Sequence, residues 1–257
     1  MKKTIFLIVF LTFLVCINAQ ETISISGRVT DFEGNPIDSS IVKLNYPDFG
    51  AAAYETYTDN DGYYTLPNVK KGKYTSLFAM RLKEYPRANA VKEEDMRLEY
   101  WAWNIIADRD MIINPRYDKL EVYGTTVFEE FGGSSGFFVY LRSMSVTKYV
   151  SYSKELYLNK KEAEKNTDVS VEPEHLAVKV YADDESLKVN SIQQIELFTG
   201  DVRYPMKGYL LQVDKPKNKP TKPYIIFRVE AENKEFNEKG ESIYFYEIPQ
   251  FRQRNNK

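Results

Sequence analysis

The fold is decided by residues 22–66, which read TISISGRVTDFEGNPIDSSIVKLNYPDFGAAAYETYTDNDGYYTL. Apolar and polar residues alternate in residues 23–28 and again in 41–44, and a period of two is typical of strands with one buried face. Turn-forming residues separate these runs, at 34–36 and at 59–62. Short strands with regular turns between them predict sheets stacked as a β-sandwich.

The composition supports a β-rich fold and excludes one class of partner. The chain has 20 Tyr and 15 Phe, and aromatic residues favour strands over helices. Its 35 basic and 37 acidic residues nearly cancel, with a formal net charge of −2. Because no field of one sign covers the chain, we expect no nucleic-acid partner.

Four short motifs in this region carry a family resemblance. Residues 25–31, 34–37, 58–64 and 72–74 read ISGRVTD, GNPI, TDNDGYY and GKY. Together they resemble the carboxypeptidase regulatory-like family over roughly residues 22–85. The resemblance implies a transthyretin-like β-sandwich of about 80 to 100 residues, the size of one small domain. Such domains occur beside peptidases, on outer-membrane receptors and in exported Bacteroidetes proteins, and the resemblance implies no activity.

The rest of the chain predicts a second sandwich. We expect an all-β protein with two β-sandwich domains in series, at 22–97 and 98–250, the boundary lying between 86 and 118. Residues 98–106 could either close the first sandwich or open the second. At most one or two short surface helices are expected, one of them at 160–165 behind Asn159, which can cap it. Residues 251–257 form a polar tail.

The amino terminus predicts export. Lys2 and Lys3 precede an apolar run at 5–17, and Ala19 provides a small residue at a cleavage site. Residues 1–19 are therefore read as a signal peptide, and the mature chain has no transmembrane segment, because a bilayer needs about 20 apolar residues. We expect a periplasmic or cell-surface location. Cys16 offers a lipoprotein alternative, disfavoured because Val15 is not small.

The residues that would carry catalysis are scarce. The only cysteine is Cys16, within the predicted signal, and the only histidine is His175. Thiol nucleophiles and zinc sites built on two or three histidines are therefore excluded, and no nucleophile-elbow pattern occurs. We predict no catalytic residue, no metal and no cofactor, and hence a non-enzymatic accessory module. A hydrolase using a pair of carboxylates is an alternative, because a sequence does not show how far apart two acids lie.

Two aromatic groups are candidate ligand-binding residues. Trp101 and Trp103 share one face of a strand because they lie two residues apart. An exposed pair would let sugar rings stack on it, whereas a buried pair would be core. Phe131, Phe137 and Tyr140 lie around the glycine-serine loop at 132–136 and predict a binding rim. The expected partner is a glycan or, alternatively, an envelope protein that pairs with an exposed sheet edge.

Overall fold

The computed structural model describes residues 21–46, 51–88, 90–159, 168–197 and 206–249. Strands dominate these ranges, so the all-β prediction is confirmed. The fifteen strands there are β1 (Thr22–Arg28), β2 (Ile41–Asn45), β3 (Tyr54–Tyr57), β4 (Tyr63–Lys70), β5 (Gly72–Met80), β6 (Tyr100–Ala107), β7 (Met111–Ile112), β8 (Leu120–Phe128), β9 (Phe137–Ser145), β10 (Leu176–Ala182), β11 (Glu185–Leu187), β12 (Val189–Leu197), β13 (Met206–Val213), β14 (Tyr224–Asn233) and β15 (Glu238–Glu247).

The strands form three sheets. The long sheet has eight strands in the order β11-β10-β14-β15-β6-β5-β2-β3. A three-stranded sheet has the order β4-β1-β7, and a four-stranded sheet has the order β12-β13-β9-β8. Most pairings are antiparallel, but β7 runs parallel to β1, and β15 runs parallel to β6.

The two smaller sheets cover opposite faces of the long sheet. On β14, Tyr224 belongs to the first hydrophobic core and Phe227 to the second. On β15, Phe245 belongs to the first core and the adjacent Tyr246 to the second. Because neighbouring strand residues point to opposite faces, the two cores lie on either side of one sheet. The two sandwiches therefore share the long sheet.

Strand β6 joins the two halves of this sheet. It pairs antiparallel with β5 and parallel with β15, so the segment at 98–106 belongs to both sandwiches. Tyr100 and Ala102 enter the first core. Trp101 and Trp103 point to the other face of the sheet, where β8 crosses it.

One α-helix lies in the described ranges, and the sequence did not predict it. Helix α1 (Val146–Leu158) follows β9 directly. Ser145 starts it, because its hydroxyl accepts the backbone N–H of Lys148 at 3.1 Å. The helix predicted at 160–165 falls outside the described residues. So do the predicted signal peptide with Cys16 and the polar tail at 251–257. Across the described residues, no helix has the length and apolar character needed to cross a membrane.

Candidate functional site

A groove of about 1170 Å³ lies beside β7. A neighbouring cavity of about 610 Å³ shares Ile112, Ile113, Lys222, Ile226 and Ile243 with it. Two of these isoleucines come from β14 and β15 of the long sheet, on the part of its face that the three-stranded sheet leaves uncovered. We call the joined space the β7 groove.

One wall of the β7 groove is the open edge of a sheet. The N–H of Ile113 donates to the carbonyl of Ser26 at 2.9 Å. Because backbone groups of successive strand residues point to alternate sides, the N–H and C=O of Ile112 point away from β1. The side chain of Ile112 is 74 % exposed. Among the described residues this donor and acceptor have no backbone partner, so β7 presents an open edge along the groove, the condition for adding another strand.

A glycine holds β7 close to β1. A methyl group at Gly27 would lie 1.8 Å from the carbonyl oxygen of Ile113, so any larger residue would push the two strands apart. At the next residue of β1, the backbone N–H of Arg28 donates to the side-chain oxygen of Asn114 at 2.9 Å. The position of β7 is therefore fixed by the close backbone contact between Gly27 and Ile113. It is also fixed by the side chain of Asn114, which replaces a main-chain hydrogen bond between the two segments.

An ion-pair network closes one end of the groove. The guanidinium of Arg116 donates to Glu241 at 3.0 Å and to Glu230 at 2.7 Å. Although burial acts to lower it, the pKa of Arg116 is raised by these two carboxylates. Burial raises the pKa of Glu241 despite the hydrogen bonds from Arg116. Glu230 and Glu241 are therefore already paired with Arg116 within the protein.

The remaining charges of the groove have both signs, because Asp183 and Asp184 line it together with Arg28, Lys219 and Lys222. Arg28 lies over the ring of Tyr63, with its guanidinium carbon 5.5 Å from the ring centre. Lys219 and Lys222 stand on the opposite wall, in the loop before β14. Within the described part of the chain, no carboxylate lies within ion-pair distance of Arg28, Lys219 or Lys222. The groove thus combines an apolar floor with a rim of mixed charge, of which Lys219 and Lys222 form a basic part.

The predicted tryptophan pair is half-buried. The rings of Trp101 and Trp103 stack with centres 4.9 Å apart, and the ring of Tyr123 meets both edge-on at 5.4 and 5.2 Å. The ring of Phe78 packs on Trp101 at 4.8 Å. Each indole therefore covers one face of the other. A ligand that stacked on both rings at once would need the two rings side by side in one open plane, and the structure does not have this arrangement.

A carboxylate pair lies beneath these rings. The indole N–H of Trp101 donates to Glu121 at 3.0 Å, and Glu121 interacts with the neighbouring Glu99. Burial raises the pKa of Glu99 to about 7, and burial together with the charge of Glu99 raises the pKa of Glu121. Glu121 is only 3 % exposed, so a substrate would reach it only if the surrounding strands separated.

The predicted aromatic rim is divided between core and surface. Phe137 is a core residue, which corrects its assignment to the rim: it is 4 % exposed and its ring packs on Phe227 and Tyr246 at 4.9 and 5.1 Å. Its position on β9 explains this, because alternate residues of that strand point inward. Tyr140 is half-buried, whereas Phe131 is 50 % exposed. A ligand-binding role for Phe131 and Tyr140 stays a prediction.

Sequence reasoning missed the β7 groove. Ile112 lies in a strand of two residues, Met111–Ile112, which is too short for a periodic signal. The basic, proline-rich run at 215–223 is the one local signal for this region in the sequence, and such a run is typical of a solvated loop. Among the described residues, no group of three or more His, Cys, Asp or Glu could hold a metal ion.

The architecture defines a β-sandwich protein with no catalytic family evident. Its first part is matched to a known domain: residues 24–85 fit the family model described as the carboxypeptidase regulatory-like domain. No curated protein sequence matches the chain significantly.

Solved structures give only remote likenesses. The major pilin subunit BcpA of Bacillus cereus is 10 % identical with a TM-score of 0.27, covering 89 % of this chain and 69 % of that one. The full-length major pilin SpaD of Corynebacterium diphtheriae is 10 % identical with a TM-score of 0.26, covering 89 % and 66 %. Nothing about the partners of this chain follows from them.

Proposed function

We propose that this chain is an exported, non-enzymatic binding or assembly module that accepts an extended segment of a partner protein along β7. The observation that carries the proposal is the outward-pointing backbone of Ile112 beside a groove of about 1170 Å³. Strand addition uses main-chain hydrogen bonds for affinity and alternate side-chain contacts for specificity. The open edge of β7 supplies the main-chain hydrogen bonds, and the groove supplies the side-chain contacts.

The lining of the groove defines the chemistry of the partner segment. Ile226 and Ile243 favour an apolar side chain at every second position, because alternate residues of an added strand point to the same face. Lys219 and Lys222 favour acidic side chains close to these apolar ones. An extended segment with mixed apolar and acidic residues fits best, and an envelope protein is the partner class that we propose.

Export is part of the same proposal. It is supported by the sequence of residues 1–19, whose basic start, apolar run and Ala19 suit a cleaved signal peptide. The periplasm or the cell surface would bring the β7 groove to envelope proteins. Lipid attachment at Cys16 is an alternative way in which the protein would reach the same location.

The hydrolase alternative has one specific observation in its favour. Glu99 and Glu121 form a carboxylate pair, and the pKa of Glu99 is raised to about 7, as a general acid would need. The burial of Glu121 favours a structural role instead. A screen of neutral and acidic glycosides tests this, and turnover that is lost in Glu99→Gln would establish the hydrolase.

The strand-addition proposal is tested with the mature protein and a displayed library of extended peptides. We expect selected peptides to be enriched in apolar and acidic residues and to protect the N–H of Ile112 from hydrogen exchange. Ile112→Asp places a negative charge at this edge and should weaken binding about tenfold or more. The matched control is Tyr57→Asp, because Tyr57 is 59 % exposed on β3 at another sheet edge.

Binding that survives unchanged in Ile112→Asp would show that peptides dock elsewhere. A library that yields no binder, or binders that leave the N–H of Ile112 unprotected, would also contradict strand addition at β7.

A further inference from the structure

Strand β12 forms one edge of the four-stranded sheet. It reads VNSIQQIEL over nine residues, and among the described residues it pairs with β13 alone. Most of its side chains are exposed, and the apolar Ile192 is 43 % exposed. Strands in globular proteins usually have about 5–6 residues, so this edge is long enough to take up a complete further strand.

The other long edges of the sheets are protected against such pairing. Strand β4 contains Pro67, and the register of β8 shifts between Tyr123 and Thr126. The edge strands β3, β7 and β11 have four residues or fewer. Proline, lysine, bulges and short length are the devices by which natural sheets prevent edge pairing. Past its one register shift, between Val189 and Ser191, β12 has none of these devices.

The ladder between β12 and β13 shows which backbone groups of β12 point outward. The N–H of Asp214 donates to the carbonyl of Lys188 at 3.0 Å, so the backbone groups of Asp214 point toward β12. Because these groups alternate along a strand, those of Leu210 on β13 point the same way. Leu210 stands opposite Gln193. The backbone groups of Gln193 are therefore bonded within the sheet, and those of the two residues that flank it point away from β13.

A second copy of β12 fits this edge. A two-fold axis perpendicular to the sheet makes the two strands antiparallel and keeps equal faces of the two sheets on the same side. With the axis at Gln193, the middle residue of β12, all nine residues of each strand meet a partner. Ile192 of each copy then stands opposite Gln194 of the other, and each of these two pairs exchanges both of its outward main-chain hydrogen bonds.

The side chains of β12 also favour an antiparallel second copy. Ile192 of one copy lies diagonal to Ile192 of the other at about 7–8 Å, which is within reach of long side chains, so each covers exposed apolar surface of the other. Lys188 precedes the strand and Glu196 lies near its end. Antiparallel pairing brings Glu196 of each copy toward Lys188 of the other, whereas parallel pairing would place like charges side by side.

We propose that the protein forms a two-fold symmetric dimer through β12, in which the two four-stranded sheets join into one continuous sheet. The pairing uses the β12 edge of both copies, so the assembly closes at the dimer and leaves no β12 edge for further growth. No residue of β12 lines the β7 groove. Dimer formation is therefore independent of peptide binding at β7.

The first test measures the mass of the mature protein by sedimentation velocity over a range of concentrations. We expect an equilibrium between monomer and dimer. Ile192→Lys places two positive charges beside the two-fold axis and should raise the dissociation constant of the dimer about tenfold or more. The matched control is Phe128→Lys, because Phe128 is 42 % exposed on β8, the other edge of the same sheet. This control should dimerise as the wild type does.

The second test locates the axis and does not depend on the folding of Ile192→Lys. Across the axis, Gln193 forms a non-hydrogen-bonded pair with its own copy, with the two Cα atoms about 4.5 Å apart, a separation that a disulfide can bridge. Gln193→Cys should therefore oxidise to a covalent dimer. The one cysteine of the sequence is Cys16, in the predicted signal peptide, so no other thiol competes. Gln212→Cys, exposed on the interior strand β13, is the control and should cross-link far more slowly.

A wild-type protein that stays monomeric at near-millimolar concentration would overturn the proposal. So would a dimer that Ile192→Lys leaves unchanged, or a Gln193→Cys variant that cross-links no faster than Gln212→Cys. Assemblies that grow beyond the dimer would show that the contact is not two-fold, and they would overturn it as well.

Discussion

Trp103 of β6 and Tyr244 of β15 stand opposite one another in a parallel ladder. The first strand lies in the N-terminal half of the chain and the second close to its C-terminus. Their pairing makes one hydrogen-bonded sheet out of strands that belong to two hydrophobic cores. A disturbance in either core is therefore transmitted through a shared layer.

This shared sheet predicts one cooperative unfolding transition. Leu77 is fully buried in the first core, and Leu77→Ala should lower the free energy of unfolding by about 2–5 kcal/mol. If the halves unfold together, amides of β13 in the second core lose protection by the same amount. Hydrogen exchange read by NMR measures this.

Leu211→Ala, in the second core, is the reciprocal experiment. It should expose amides of β4 as strongly as Leu77→Ala exposes those of β13. Wild-type protection of the distant strand in both variants would mean that the two halves unfold separately.

The contact between Gly27 and β7 predicts a second outcome. Gly27→Ala places a methyl group 1.8 Å from the carbonyl of Ile113, which forces β7 off β1 and removes the edge of the β7 groove. We expect a loss of about 1–3 kcal/mol in urea unfolding and loss of peptide binding to the groove. Gly72→Ala is the control, because its methyl group would meet nothing within 4 Å. Equal behaviour of the two variants would show that β7 is not held at this point.

Much of the first sandwich could be predicted from local pattern. Strands β1 and β2 alternate apolar and polar residues, and turn residues mark the ends of β1 and the start of β4. Pairing between distant strands leaves no such local mark. The parallel contacts of β7 with β1 and of β15 with β6 depend on the whole fold, so the β7 groove between them could not be predicted.

The exposure of the tryptophan pair likewise depends on tertiary packing that the local sequence does not reveal. The spacing of Trp101 and Trp103 correctly indicates that they share a face. Whether that face meets solvent depends on β8, which crosses it with Tyr123. The positive φ of Asn104 in β6 also arises from tertiary pairing and has no sequence signal of its own.

The carboxylate pair predicts a pH-dependent stability. Burial raises the pKa of Glu99 in the folded protein to about 7 from an ordinary value of 4.5. A group whose pKa is raised by folding stabilises the fold below its unfolded value, and this contribution is lost as the pH rises through the folded value. Glu99→Gln removes the titration. It should leave stability near pH 4 unchanged and raise it at pH 8 by about 1–3 kcal/mol.

Urea unfolding at both pH values measures this difference, with Trp101 as the fluorescent reporter beside Glu121. The exposed Glu235 provides the control, and Glu235→Gln should leave the pH profile as in the wild type. A Glu99→Gln variant that is equally stable relative to the wild type at pH 4 and pH 8 would show that Glu99 titrates normally.

The ion pair between Arg116 and Glu241 predicts that removing one charge will strongly lower the free energy of unfolding. The side chain of Glu241 is 1 % exposed and that of Arg116 is 34 % exposed. Arg116→Met leaves Glu241 buried without its partner, and such a loss typically costs about 3–5 kcal/mol. The unpaired carboxyl then takes up a proton more readily, so its pKa rises further and the penalty shrinks as the pH falls. Urea unfolding at pH 5 and pH 8 should therefore show a larger loss at pH 8.

The double variant Arg116→Met/Glu241→Gln separates the charge from the packing. Because glutamine is neutral, it should recover much of the stability at pH 8 and remove the pH dependence of the loss. If the double variant is as unstable as Arg116→Met at pH 8, the methylene stem of Arg116 rather than its charge supports the end of the groove.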